Sequence, residues 1–281
     1  MDLSLNASAT FFMDLLEAIE RNRLPLPTQP EIAMAIQEVS QNPYVTIEEL
    51  EGIIGKDPAL TARIIRLANS PLVRGRVAIN SLENAISRLG VRFVSNMAIG
   101  LAMEQLFLAK HKVIEQKLND AWKHSGQIAA TSYVIANYTK KFAPDEAMLA
   151  GLLHEIGILP ILTYAETQPE LLKNLNVLDE LIQNHYAKLG EAILNSWQFP
   201  PNIANIPQNM TQYYRKIPKA DLADVILVAK IFVLEGTPHP LAQIDRTEIP
   251  AFNRLGLDPK ENLLLKPALQ EPLMAAEAIF K

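Results

Sequence analysis

The run Asp57–Pro58–Ala59–Leu60–Thr61–Ala62–Arg63–Ile64–Ile65–Arg66–Leu67–Ala68–Asn69–Ser70 decides the fold class. Pro58 punctuates its start, because proline fixes φ and lacks a backbone donor. Asn69 and Ser70 before Pro71 mark a stop, since asparagine tolerates the left-handed position just past a helix. The spacing between them predicts a helix over about 58–69, with Arg63 and Arg66 on one face. Nothing in it alternates with the period of a strand.

The same signature extends in both directions. Upstream, Phe11, Phe12, Leu15, Leu16 and Ile19 form an apolar stripe, with Asp14, Glu17 and Glu20 on the opposite face. Leu24–Pro25–Leu26–Pro27 then breaks the chain. Helices are expected at about 29–42 and 46–55, the second opened by a Thr46/Glu49 capping box. Downstream they read 81–89 and 91–109, separated at Gly90, then 113–140, 144–163, 178–197, 202–215, 219–235 and 266–280. Gly236, Pro238, Pro240 and Pro250 mark a long excursion over 236–250. The expected fold is an all-α multi-helix bundle. A weak boundary near 108–112 divides an N-terminal half, 1–110, from a C-terminal half, 111–281, without a flexible linker.

Composition narrows the function classes. The 281 residues are 49% apolar and 20% charged, with a net charge of −5, which is ordinary for a packed domain and carries no overall bias toward nucleic acid. No cysteine is present, which excludes disulfides, thiolate zinc sites and a cysteine nucleophile. Residues 1–20 carry four acids and no basic run, unlike a secretory signal. The stretch Phe93–Ala109 is interrupted by Asn96, Glu104 and Gln105, and is short for a bilayer span. The expectation is a cytoplasmic protein with no membrane partner.

Glycine-rich phosphate loops, GxSxG and HExxH are all missing. Chemistry therefore concentrates on His154 and Glu155, a polar pair inside Gly151–Leu152–Leu153–His154–Glu155–Ile156–Gly157. Buried among apolar neighbours, the pair needs a partner or an ion. His124, one long helix upstream, supplies a second imidazole, and imidazole plus carboxylate from different helices is how bundles hold metals. The alternative is a core histidine satisfied by Glu155 itself. His111 and His239 read as surface residues, and Trp197, Met97, Met103 and Met148 as core. Arg63, Arg66, Arg74, Arg76, Arg88 and Arg92 form a basic cluster opposed only by Glu83. It reads as a solvated face, with Arg63 paired to Asp57 or Glu83, or as a surface for an acidic protein partner, a cyclic-dinucleotide or phosphate ligand, or DNA.

Several of these stretches together resemble the HDOD family. They are Leu24–Pro27, Asp57–Ser70, Ser81–Gly90, the Trp122/His124 segment, the Gly151–Gly157 run and Gly190–Pro200, in order over about 10–265. The resemblance implies an all-α fold related to HD-type metal-dependent phosphohydrolases, used in bacteria as a signalling output or adaptor module. In the catalytic cousins, histidines and aspartates on several helices hold metals that activate water against a phosphoester. Against that pattern His124 and His154 are kept, but Glu155 replaces an aspartate and Ile158 follows Gly157 where a lysine would stand. Gln208–Asn209–Met210–Thr211 replaces a histidine pair, and His185 and Tyr186 compete for another ligand position. Lys230 stands where an aspartate is expected, and a lysine there repels a divalent ion. The expected metal set is therefore His124, His154 and Glu155, vestigial and holding at most one weak divalent ion, with no catalytic residue. The resemblance implies a non-catalytic module with a signalling protein partner, with self-association through 266–280 as a further expectation. The alternative is a metal-dependent phosphohydrolase acting on a nucleotide or cyclic dinucleotide.

Overall fold

The computed structural model describes residues 17, 26–73, 75, 77–167, 172 and 174–280. The first amphipathic stripe, apart from Glu17, lies outside these residues, as do Arg74 and Arg76. The described residues contain helices and no strand. In chain order the α-helices are α1 (Glu31–Ser40), α2 (Ile47–Ile54), α3 (Pro58–Ala68), α4 (Leu82–Leu89), α5 (Val91–Ala102), α6 (Lys112–Thr139) and α7 (Pro144–Leu153). They continue as α8 (Ile158–Glu166), α9 (Leu175–Ser196), α10 (Pro201–Ala204), α11 (Ile206–Asn209), α12 (Leu222–Leu234), α13 (Pro250–Leu255) and α14 (Pro267–Glu277).

Local chemistry sets many of the ends. The expected capping box opens α2: the Glu49 N–H donates to Thr46 Oγ1 at 3.2 Å, and the Thr46 N–H to Glu49 Oε2 at 2.8 Å. Asp57 caps α3 by accepting from the Ala59 and Leu60 amides, with Pro58 in the first turn. Asn69 does end α3, but not in the left-handed conformation, since its φ is −99°. It stops the helix through its side chain instead. The Asn69 amide donates to the Ile65 and Ile79 carbonyls and accepts from the Ile79 N–H, tying the 70–80 loop to the helix end. Gly90, at φ +87°, separates α4 from α5.

Three expected helices are broken, and of these 202–215 is reduced to α10 and α11 with a turn at 205 and turns after Asn209. The 91–109 helix ends at Ala102 and continues as a 3₁₀ turn, Met103–Leu106. The 144–163 helix is interrupted by a turn over 154–157. A Cβ on Gly157 would stand 1.9 Å from the Tyr186 carbonyl oxygen and 2.4 Å from the Gly190 nitrogen. The α9 backbone therefore lies directly against this turn, and only glycine fits there. Likewise, Gly151 lets α7 approach α6 so closely that a Cβ would fall 2.5 Å from Ala129 Cα. Pro144–Glu166, rather than Phe93–Ala109, is the stretch whose length and composition would suit a bilayer, and 83% of its apolar window is buried inside the protein.

One apolar core runs through both halves of the chain, from Ile36, Leu50 and Ile64 through Met97, Ile128 and Leu152 to Leu194, Ile226 and Phe252. Polar bridges cross residue 110 as well. Asn96 Nδ2 donates to the buried Asp145 carboxylate at 2.8 Å, and Gln37 Nε2 donates to the Trp197 carbonyl at 2.9 Å. At the C-terminal end α14 packs along α6. Ala275, Ala276 and Phe280 are buried, and Met274 is 60% exposed.

Candidate functional site

Three helices and one turn build the site. α6 brings His124 to its partly buried face, and the turn after α7 presents His154 and Glu155 between α7 and α8. α12 carries Lys230 on an almost wholly buried helix. α9 adds Tyr186 beside them. The Gly157 contact with α9 makes this assembly possible, because it turns the chain where His154 and Glu155 must leave the α7 axis.

The expected metal set does come together. One ligand atom from each of His124, His154 and Glu155 lies within 4.8 Å of the others. The two imidazole centroids are 6.0 Å apart. His154 is fully buried, and its Nδ1–H donates to the Gly151 carbonyl at 2.7 Å. Its Nε2 lies 3.6 Å from Glu155 Oε1 and has no hydrogen-bond partner. On this side the arrangement suits an ion.

The fourth group changes the chemistry. Lys230 Nζ donates to the same Glu155 Oε1, and both side chains are nearly enclosed, at 8% and 12% exposure. The ammonium also stands 5.3 Å from the Tyr186 ring centre, a cation–π distance. Burial pushes the Glu155 carboxyl up, but Lys230 together with His154 and His124 outweighs it and holds the group well below the usual carboxylate range. Burial lowers Lys230, and Glu155 with Tyr186 and Tyr213 more than offsets that, so its pKa is raised. Burial brings His124 down to about 4, opposed by Glu155 and reinforced by His154 and Lys230, so His124 is neutral at pH 7.

The donor set therefore does not fit a divalent ion. Of three donors, the only carboxylate is already neutralised by a fixed internal cation, and a metal placed there would face that ammonium at close range. His239, expected at the surface, is partly buried, and its pKa is lowered by burial and then by Lys230. With Glu155, Tyr186, Tyr213 and Lys230 it lines a cleft of about 320 Å³.

The arginine cluster is divided among separate environments. Arg63 pairs with Glu104 rather than with Asp57 or Glu83. Arg66 is exposed and has no ion-pair partner among the described residues; both arginines line one cleft. Arg88 donates to the Ala68 and Val77 carbonyls. Arg92 reaches Asp145 at 3.3 Å and borders a different cleft, beside Asn96, Phe199 and Ile203. A second charged network went unread in the sequence. The fully buried Asp224 accepts from both Arg215 and Arg254, each at 2.7 Å, and Asp221 holds Arg215 through two further bonds. Its one signal is a carboxylate inside the apolar run that becomes α12.

The sequence pattern of the HDOD domain matches residues 26–213. The chain belongs to the HDOD family. Among solved structures, a Shewanella amazonensis SB2B protein named "putative metal-dependent phosphohydrolase" superposes with a TM-score of 0.85 at 28% identity, over 98% of this chain and 99% of that one. An HDOD domain protein of unknown function from Geobacter sulfurreducens gives 0.68 at 22% identity, over 98% of each chain. A Marinobacter aquaeolei VT8 protein, named for signal transduction, gives 0.62 at 21% identity; 97% of this chain matches 66% of that one. The last two share the fold. No curated protein matches the chain.

Proposed function

We propose that this HDOD chain is a non-catalytic signal-transduction module, an output or adaptor element that acts by contact with a protein partner in the bacterial cytoplasm. The observation that carries the reading is the Lys230 ammonium hydrogen-bonded to Glu155 among the two imidazoles. A site with its cation built in has no Lewis acid with which to lower the pKa of a water. The Marinobacter protein that shares this fold is named for signal transduction, which agrees with the reading.

Metal analysis of the purified chain, after exposure to manganese, iron, nickel and zinc, tests this together with a phosphoesterase assay. Substoichiometric metal and no hydrolysis above a His154→Ala control are expected. Stoichiometric metal lost in His154→Ala, with metal-dependent hydrolysis of a nucleotide or cyclic dinucleotide, would overturn the proposal. That outcome would establish a second reading, metal-dependent phosphoester hydrolysis. It is favoured by the unpartnered His154 Nε2 and by the name of the Shewanella protein.

A further inference from the structure

A cleft of about 440 Å³ opens between α3, the 3₁₀ turn after α5 and the C-terminal 3₁₀ turn. Its walls are Arg63, Arg66, Leu67, Ser70, Glu104, Ala278 and Ile279. Three features set it apart from a solvated basic face. Arg66 brings a guanidinium without an ion-pair partner among the described residues. Arg63 is held in place by Glu104, so its fork is positioned rather than free to sweep through solvent. Ser70 lines the wall, and its Oγ, which has no hydrogen-bond partner and is shielded from water, meets a ligand oxygen only after a turn about χ1. A buried hydroxyl without a partner is uncommon in a folded protein and marks a place where a ligand or solvent atom completes the set.

These groups share one side of α3 and its end, because 63, 66 and 70 are spaced by three and four residues. Two guanidiniums and one hydroxyl are all donors, and with Glu104 the charged groups sum to about +1, a match for an anion with several acceptor oxygens. Leu67, Ala278 and Ile279 add an apolar wall suited to a carbon skeleton. The volume falls in the range of small-molecule sites, and the groups line a half-open cleft rather than a flat surface. We infer that this cleft binds a small phosphate monoester, its phosphoryl oxygens taken by Arg63, Arg66 and Ser70 and its organic part lying against Leu67 and Ile279.

Glu104 is the counter-ion that such a ligand displaces. Its pair with Arg63 is partly exposed and therefore weak, so a phosphoryl group carrying more charge and more acceptors competes for the same guanidinium. Because the cleft joins α3 to the C-terminal turn, and Phe280 of that turn is buried against Gly126 of α6, occupancy ties together segments from both halves of the chain. The site is independent of the adaptor reading, since it shares no residue with the His124/His154/Glu155 cluster.

The test is calorimetric titration of the full chain with inorganic phosphate and with glycerol phosphate at low ionic strength, using chloride as the control ion. Saturable binding, tighter for the monoester than for inorganic phosphate, is expected. Arg66→Glu weakens it at least tenfold, and Ser70→Ala about two- to tenfold. Glu104→Gln removes the competing charge and tightens binding severalfold, a gain that damage to the fold cannot imitate. Arg92→Glu, in the other cleft, leaves binding unchanged. The inference fails if neither phosphate binds, if Glu104→Gln does not tighten it, or if Arg92→Glu weakens it as much as Arg66→Glu. It also fails if a phosphoserine peptide binds where glycerol phosphate does not, which would make the cleft a protein-docking surface.

Discussion

Replacing Lys230 by Met removes one charge and keeps most of the apolar stem that packs in α12. In the native chain the ammonium and Glu155 neutralise each other inside the protein, at 8% and 12% side-chain exposure. Without it, Glu155 stands unpaired beside two imidazoles, and breaking a buried pair from one side costs about 3–5 kcal/mol. A proton sets the ceiling. With a reference carboxylate pKa of about 4.3, protonating Glu155 at pH 7 requires about 2.7 × 1.36, or about 3.7 kcal/mol, and this route caps the loss. Uptake by His154 or His124 lowers the loss further. On either route the folded variant holds about one proton more than the native chain, so the gap between them narrows by up to about 1.4 kcal/mol per unit of falling pH. The variant also exposes three donors to an ion. Zinc at about a hundred times its dissociation constant would restore about 2.7 kcal/mol, an effect absent in the native chain and abolished by adding His154→Ala. Urea denaturation at two pH values, with and without zinc, reads all of this. A loss under about 1 kcal/mol that is independent of pH, with no zinc-dependent gain beyond the native chain, would refute the claim that Lys230 is the cation of this site.

Asp224→Asn should cost about 3–5 kcal/mol in urea denaturation, because two guanidiniums lose a fully buried counter-charge, whereas Asp221→Asn, at a 40% exposed side chain, should cost under about 1 kcal/mol. Gly157→Ala should abolish or severely weaken folding, read by circular dichroism, since its Cβ would lie 1.9 Å from the Tyr186 carbonyl oxygen; Gly52→Ala, with nothing within 4 Å, should stabilise α2 by up to about 1 kcal/mol. Stability should fall on acidification through His124. Its folded pKa of about 4 lies below the unfolded value of 6.5, so the unfolded chain binds more protons between those limits. Moving from pH 7 to pH 5 should cost about 2 kcal/mol, and lower Tm by about 4–8 °C, with His124→Gln flattening the profile.

Where a local rule governs, the sequence was readable. Thr46 and Glu49 cap α2, and Gly90 divides α4 from α5, as expected. The meeting of His124, His154 and Glu155 was legible because a polar dipeptide in an apolar run demands partners, and the family resemblance indicated where to look. What stayed hidden depends on elements far apart in the chain. Gly157 and Pro160 stand inside 144–163 and already mark a break; what the sequence hides is that the α9 backbone at Tyr186 and Gly190 lies against that turn. The six arginines are neighbours in sequence, yet Arg92 turns to Asp145 and Arg88 to backbone carbonyls, because each lies on the helix face its own neighbours leave open. Arg215 and Arg254 lie 9 and 30 residues from Asp224, spacings that no single helix face explains.

The same contrast bears on how the site is held. A metal on His124, His154 and Glu155 would join α6 to the 154–157 turn. Lys230 instead joins α12 to that turn with one hydrogen-bonded ion pair, and the His124 and His154 rings pack beside it. The pair is directional and enclosed, so it fixes the position of α12 against the turn while demanding no ion from solution. His154 Nε2 is left without a hydrogen-bond partner in this arrangement. If stability from that pair is what the site contributes, replacing Lys230 and Glu155 together by Met and Gln should recover most of what Lys230→Met loses, with a coupling of about 2–3 kcal/mol in a double-mutant cycle. A coupling near zero would mean that the two charges are solvated separately and that the turn is held by Gly157 and the core alone.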